Sequence, residues 1–287
     1  MKIKTPAKLN IGLDIVGLRE DGYHLLDTVM QTVNIYDELE FIPREDGKVV
    51  LECDSAFVPV DGESLVEKAV RALTDRGMTI RMRCSIPSRA GMGAGSSDAA
   101  ATLKAVNEIY ALGRTDAELE AIGAKLGADV PFFIKGGRQR CEGIGEILTV
   151  LPETEEYYLV IKPQDEAITK DIFRKYDAWK DAITKQSVVP EKLTVSDAMK
   201  AWSVPFPDTA GGASESDPVT SYINVLEPVT AAEHPVIYEI KKRLLEQGAR
   251  LASMTGSGTA VFGIFDSKEA AEKCRKEIGE GIVCQAC

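Results

Sequence analysis

No run of about 18 apolar residues, the length a helix needs to cross a bilayer, occurs anywhere in this chain. The amino-terminal stretch MKIKTPAKLN lacks the apolar core of a secretory signal, so a cytoplasmic location is expected. Excess positive charge is missing too: 34 Lys and Arg against 45 Asp and Glu leave a formal net charge of -11. Nucleic acids and anionic membranes are gripped by clustered cations, so neither is an expected partner. A local basic pocket for a small anionic molecule stays compatible with that charge. No disulfide framework is visible either, since Cys53, Cys84, Cys141, Cys274, Cys284 and Cys287 are widely spread and read as reduced thiols. Cys284 and Cys287 make one CxxC, and two ligands are too few for a zinc site. Internal repeats and low-complexity tracts are absent, and at 287 residues the chain fits one large or two ordinary domains.

What is present centres on Pro87 to Tyr110, PSRAGMGAGSSDAAATLKAVNEIY. Before it, Ile80, Met82, Cys84 and Ile86 alternate with polar residues over Thr79 to Ile86, the period of a half-buried strand. Gly91, Gly93 and Gly95 follow, then Ser96, Ser97 and Asp98, residues suited to capping a helix. Ala99, Leu103, Val106 and Tyr110 then recur at helical spacing. Strand, glycine loop and helix start form an arrangement whose free N–H groups and positive dipole end suit phosphate. The loop is not a Walker A motif, because no Gly-Lys-Ser/Thr follows, and Ser96 stands where a dinucleotide fingerprint needs its third glycine. A tight turn with nothing bound accounts for such a loop equally well.

Elsewhere, Lys2 to Ile15 reads as an opening strand, in which Lys8 is expected on a solvated face. Gly17 to His24 is a polar turn exposing Tyr23 beside His24, with Asp21-Gly22 as a hairpin turn. Val29 to Phe41 and Lys48 to Cys53 are further strands, and Ser64 to Arg76 is a helix with Gly77 as its stop. Thr115 to Glu118 is a capping box opening a helix that Gly127 closes. Val130 precedes Pro131 and is pushed toward an extended conformation, so Asp129 is expected at a helix-to-strand junction, where an acidic residue is usually only a turn residue. Pro152 to Glu156 is the expected boundary, giving domains 1–155 and 156–287. Beyond it come a strand at Tyr157 to Lys162, helices at Thr169 to Trp179, Leu193 to Trp202 and Pro235 to Gly248, and a loop at Pro205 to Pro218. The chain closes with strand-like runs either side of Thr255-Gly-Ser-Gly-Thr259, a helix at Ser267 to Ile278 and a strand at Ile282 to Cys284. Strands followed by helices without regular alternation indicate a mixed α+β class.

Three of these segments together resemble the GHMP family of small-molecule kinases: Pro87 to Ala100, Leu126-Gly-Ala-Asp-Val-Pro131 and Ser253-Met-Thr-Gly-Ser-Gly258. Pro6-Ala-Lys-Leu-Asn10, Gly17 to His24 with Thr28, Gly143 to Leu148 and Leu226-Glu-Pro228 are similar to the branch of that family acting on a cytidine diphosphate-linked polyol in isoprenoid precursor synthesis. Ser64, Val225 and Thr259 depart from that branch's usual residues, as does Gln164 to Ile168. The resemblance implies a two-domain α+β fold, with an N-terminal mixed sheet carrying helices and a C-terminal ferredoxin-like domain. It implies ATP and Mg2+ as cofactors, and transfer of the γ-phosphoryl group to the 2-hydroxyl of cytidine diphosphate-methylerythritol. By the same resemblance Pro87, Ser88, Arg89, Ala90, Gly91, Met92, Gly93, Ala94, Gly95, Ser96 and Ser97 bind the nucleotide phosphates. Asp129 accepts the hydroxyl proton beside Lys8, and Asn10, Tyr23, His24, Phe173, Gly256 and Ser257 contact the acceptor. No metal ligand is assigned, although Ser97 is the candidate for Mg2+. A monomer or homodimer is expected. A mevalonate- or homoserine-type kinase and a non-catalytic nucleotide-binding protein are the alternatives.

Overall fold

A computed structural model describes residues 1–59, 62–186 and 223–287. The helix expected over 193–202 and the loop over 205–218 lie outside the described residues.

Two long strands, β1 (Lys2–Leu18) and β2 (His24–Arg44), form the frame. They pair antiparallel from Lys2 opposite Glu40 to Leu18 opposite His24, and Gly22, at φ 86°, permits the turn between them. The register breaks between Pro6 and Ala7, between Asn10 and Gly12, and between Ile15 and Gly17. Pro6 has no N–H to give the ladder, and each break re-aims the side chains that follow. Around this frame lie β3 (Val49–Cys53), β4 (Gly77–Arg83), β5 (Arg138–Gly143) and β6 (Ile147–Val150). The sheet runs β3-β4-β2-β5-β6 with β1 also on β2, and it is mixed because β3 and β4 are parallel.

Helices α1 (Leu65–Leu73), α2 (Ala94–Ile109), α3 (Asp116–Leu126) and α4 (Val130–Lys135) bury apolar residues with this sheet. Ala99, Leu103, Phe132 and Ile134 pack with Met30, while Val70 and Val106 pack with Phe41 and Ile80. The Thr115–Glu118 capping box and the Gly127 cap are as expected. Two local expectations are corrected. Gly77 does not stop α1, which is capped at Thr74. It opens β4 instead, at a point where a Cβ would lie 2.8 Å from Lys48 O. Val130 is helical, not extended, because Pro131 falls in the first turn of α4, where a missing N–H costs nothing.

The second sheet comprises β7 (Tyr157–Ile161), β8 (Leu251–Met254), β9 (Val261–Phe265) and β10 (Ile282–Gln285). Its order, β10-β7-β9-β8, is antiparallel throughout and is that of a ferredoxin-like domain. With it lie α5 (Thr169–Gln186), α6 (Glu227–Glu233), α7 (Val236–Glu246) and α8 (Lys268–Ile278). Ala7, Leu9, Ile11 and Val29 of the first sheet share one buried cluster with Tyr158, Val160, Phe262 and Ile264 of the second. Each such large side chain contributes about 1.5–3 kcal/mol on burial, so this layer joins the two sheets firmly.

Two buried carboxyl groups lie beneath the glycine loop. Asp37 accepts from Ser85 N at 2.5 Å and Ile86 N at 2.7 Å, fixing the approach to the loop. Asp98 of α2 accepts from Thr5 Oγ1 at 2.6 Å. Burial pushes the Asp98 carboxyl up to about 7, and the Thr5 hydroxyl offsets this only in part. The native state therefore binds a proton that the unfolded chain has released between the ordinary value of 3.8 and about 7, so stability falls as pH rises through that window. Burial raises Asp37 as well and adds in the same sense. Chemical denaturation at pH 5 and pH 8 is expected to show this loss, and Asp98→Asn is expected to shrink it by on the order of 2 kcal/mol. An equal loss in the variant would rule Asp98 out as its source.

Candidate functional site

The glycine loop is built by backbone conformations that other residues avoid. Gly91 and Gly93 lie at φ 73° and 74°, and Arg89 takes a positive φ of 49°. Helix α2 starts at Ala94 with Gly93 as its cap, two residues before the serines expected to cap it. The left-handed Gly93 sets the helix direction without a side chain, so Ser96, Ser97 and Asp98 fall inside the first turns. First-turn N–H groups have no intrahelical acceptor, and with no side-chain cap they are open to an anion. Ser97 Oγ is buried and has no hydrogen-bond partner among the described residues.

Three segments far apart in sequence meet here through their backbones. A Cβ on Gly91 would lie 2.3 Å from Thr255 O, and one on Gly256 would lie 3.0 Å from Gly91 O. A Cβ on Gly93 would lie 2.9 Å from the Phe133 ring and 3.1 Å from Lys8 Cγ. Lys8 N donates to Met92 O at 2.9 Å, and Asn10 N donates to Thr255 Oγ1 at 2.9 Å. The loop, the first strand and the Thr255 turn are therefore one unit.

Lys8 is not on a solvated face, contrary to the expectation for a lysine in a strand. Its side chain is 4% exposed, and its ammonium donates to Asn10 Oδ1 and lies 3.7 Å from Asp129 Oδ2. The register breaks on either side of this stretch and the covering loop account for the burial. Burial pushes the Lys8 ammonium down from the ordinary lysine value, and the Asp129 carboxylate opposes it. Asp129 remains 31% exposed, so its carboxylate is reachable from solvent. Asn10 is oriented in turn: its Nδ2 donates to Thr28 Oγ1 at 2.9 Å, and that hydroxyl donates to Gly12 O at 2.6 Å. Gly256 and Ser257 lie in the buried turn between β8 and β9, where Ser257 Oγ is 2.8 Å from Thr169 Oγ1 at the start of α5.

A second cluster forms at the β1–β2 hairpin. The His24 ring lies 4.9 Å from the Phe173 ring, and its Nε2 is 2.7 Å from Asp177 Oδ1. Tyr23 stands apart, 60% exposed and without a ring contact among the described residues. Asp177 was not legible as part of this cluster, although its position four residues after Phe173 puts both on one helix face. Arg89 pairs with Glu166 at 2.6 Å and lies over the Phe57 ring at 5.4 Å, contacts that the sequence did not reveal.

The site thus offers unpaired N–H groups for an anion, a carboxylate beside an ammonium for moving a proton, and an aromatic surface with an imidazole for a flat polar ring. Comparison with known proteins agrees with that chemistry. Residues 64–137 match the model of the GHMP kinases N terminal domain, and 213–283 match that of the GHMP kinases C terminal. The chain is 37% identical over 284 residues to a 4-diphosphocytidyl-2-C-methyl-D-erythritol kinase of Clostridium beijerinckii, covering 97% of this chain and 95% of the relative. It is 37% identical over 289 residues to the kinase of the same name from Syntrophus aciditrophicus, covering 98% and 95%. A crystal structure of 4-(cytidine 5'-diphospho)-2C-methyl-D-erythritol kinase superposes over 100% of both chains with a TM-score of 0.75 at 27% identity. The mevalonate kinase of Methanococcus jannaschii, at 14% identity and a TM-score of 0.65, shares the fold.

The close backbone approach makes a paired test. Gly91→Ala combines a left-handed φ with a clash against Thr255 O, and is expected to lower stability by about 2 kcal/mol or more in denaturant unfolding. Gly95→Ala meets only Leu65 Cδ1 at 3.8 Å inside a helix and should be neutral or stabilising by up to about 1 kcal/mol. Equal effects would contradict the close-contact account.

Proposed function

This chain belongs to the GHMP kinases, among the 4-diphosphocytidyl-2-C-methyl-D-erythritol kinases, and from that membership we propose how its residues perform the reaction. It is an ATP-dependent kinase of a small molecule, phosphorylating the 2-hydroxyl of 4-diphosphocytidyl-2-C-methyl-D-erythritol to give the 2-phosphate and ADP in isoprenoid precursor synthesis. Residues 1–155 serve the nucleotide and the reacting hydroxyl, and 156–287 close the site with the Thr255 turn and α5. The last strand of the first sheet ends at Val150 and the first strand of the second begins at Tyr157, which supports dividing the chain there.

The observation that carries the mechanism is the half-buried Asp129 carboxylate 3.7 Å from the buried Lys8 ammonium, beside the glycine loop. Phosphoryl transfer has a loose transition state, so positioning and charge stabilisation do most of the catalysis. The loop N–H groups between Ser88 and Ser96 hold the ATP phosphates. The acceptor oxygen bonds to the γ-phosphorus as the bond to the leaving ADP oxygen breaks, and Asp129 takes the hydroxyl proton. The Lys8 ammonium lies beside the Asp129 carboxylate and faces the moving charge, while Asn10 fixes the direction of that ammonium. Ser97 Oγ, a buried hydroxyl with no partner among the described residues, fits an oxygen ligand for Mg2+. When bound there, the ion would supply charge neutralisation at the phosphates.

Recognition of the base falls to the other cluster. Asp177 fixes the His24 ring, Phe173 offers a face, and Tyr23 is free to close over cytosine from the opposite side. A cytoplasmic setting is consistent with the lack, among the described residues, of any helix long and apolar enough to cross a membrane.

Asp129→Asn and Lys8→Ala are each expected to lower turnover by at least about a hundredfold in an ADP-release assay while the protein stays folded. Near-normal turnover would remove that residue from the mechanism. In the same assay the cytidine diphosphate acceptor should be used, and mevalonate and homoserine should not. Turnover of either alcohol in preference would overturn the acceptor assignment.

A further inference from the structure

A polar cluster that the mechanism above leaves unused packs against the Thr255 turn. Asn224, Glu227 and Lys241 are each 0% exposed. Asn224 Nδ2 donates to Met254 O and to Gly256 O, both at 2.8 Å, while its Oδ1 accepts from Leu226 N at 3.0 Å. Glu227 Oε2 accepts from Met254 N at 2.8 Å and Ser253 Oγ at 3.2 Å, and Oε1 accepts from Lys241 Nζ. The contacts made by Asn224 Nδ2 and Glu227 Oε2 grip the strand end or the turn that follows it. Among the described residues, neither Gly256 N–H nor Ser257 N–H donates to a protein acceptor.

Stability alone is a poor reason for such a cluster. A buried ion pair of this kind is often matched by apolar residues of equal volume. Apolar residues cannot, however, fix which way a peptide unit points. With the Met254 and Gly256 carbonyls held by Asn224 and the Met254 N–H held by Glu227, the turn is left with two free N–H donors in the same unit as Gly91. We propose that Asn224 and Glu227 are positioning residues that fix the 254–258 turn so that the Gly256 and Ser257 N–H groups meet the phosphoryl group, with Lys241 neutralising Glu227. This rests on the reaction proposed above, since it gives that turn its ligand. Neither residue touches substrate.

Two double variants separate positioning from packing. E227Q/K241M keeps an oxygen acceptor for Met254 N–H without burying a lone charge, and E227L/K241M removes the acceptor at similar volume. The first is expected to keep kcat within about threefold of wild type. The second is expected to stay folded and lose at least about tenfold in kcat with the acceptor KM within about threefold, because displaced donors cost transition-state stabilisation. Hydrogen exchange in the peptide spanning 254–258 should be at least about tenfold faster in E227L/K241M only. Should E227L/K241M not fold, Asn224→Leu, which removes the amide that donates to both the Met254 and Gly256 carbonyls, carries the same expectations. Wild-type exchange and kcat in a folded E227L/K241M or Asn224→Leu would overturn the inference. So would equal losses in the two double variants that follow their melting temperatures. A wild-type enzyme that fails to use the cytidine acceptor would sink the proposed reaction, while the exchange data would still decide the positioning role.

Discussion

The structure depends on a place where peptide backbones touch with no side chain between them. Gly91 meets Thr255 so closely that even a methyl group would sit 2.3 Å from the carbonyl oxygen, and Gly256 returns the contact from the other side. Glycine is required at both for space and, given their positive φ values, for conformation. That contact joins the loop of the first sheet to the hairpin of the second. It also turns two ordinary turns into opposite walls of the proposed anion site.

Charge placement follows from this closure. Covering β1 with the loop removes Lys8 from water, and a lone buried ammonium would be expensive. Asn10 and Asp129 offset that cost, and both are held by other residues: Asn10 by Thr28, and Asp129 by the turn before α4. The same logic applies to Glu227 and Lys241, which are buried together as a pair while Glu227 also accepts from Met254 N–H. Beneath the loop, Asp37 and Asp98 bear the opposite burden, carboxyl groups whose protonation burial favours. The glycine loop is thus surrounded by buried polar groups whose geometry is fixed by hydrogen bonds.

The groups proposed for reaction and for recognition occupy different parts of the frame. β1 carries Lys8 and Asn10 in its buried middle, and the hairpin at its far end carries Tyr23 and His24. Helix α5 begins against Ser257 and continues past His24, so one element touches both the turn and the His24 cluster. The fold is shared with the mevalonate kinase of Methanococcus jannaschii.

Much was legible from residue order alone. The glycine loop, the capping box at Thr115 and the β8–β9 turn follow from local periodicity and turn chemistry, which sequence records directly, whereas the pairing of a mixed with a ferredoxin-like sheet came from the family resemblance. Proximity of Lys8 to Asp129 was inferred by resemblance, yet the burial of Lys8 was not legible, because a strand lysine is buried only if something distant covers it. The α2 start was misplaced by two residues because Gly93 caps through its backbone and leaves no side-chain signal. Asp177 at His24, and Asn224 and Glu227 at the Thr255 turn, are long-range partners chosen by packing, and no local pattern encodes them. Sequence determined the elements and the chemical groups available. Tertiary structure decided which groups lose their water and which meet, because desolvation and hydrogen-bond direction are set by segments that approach only once the chain has folded.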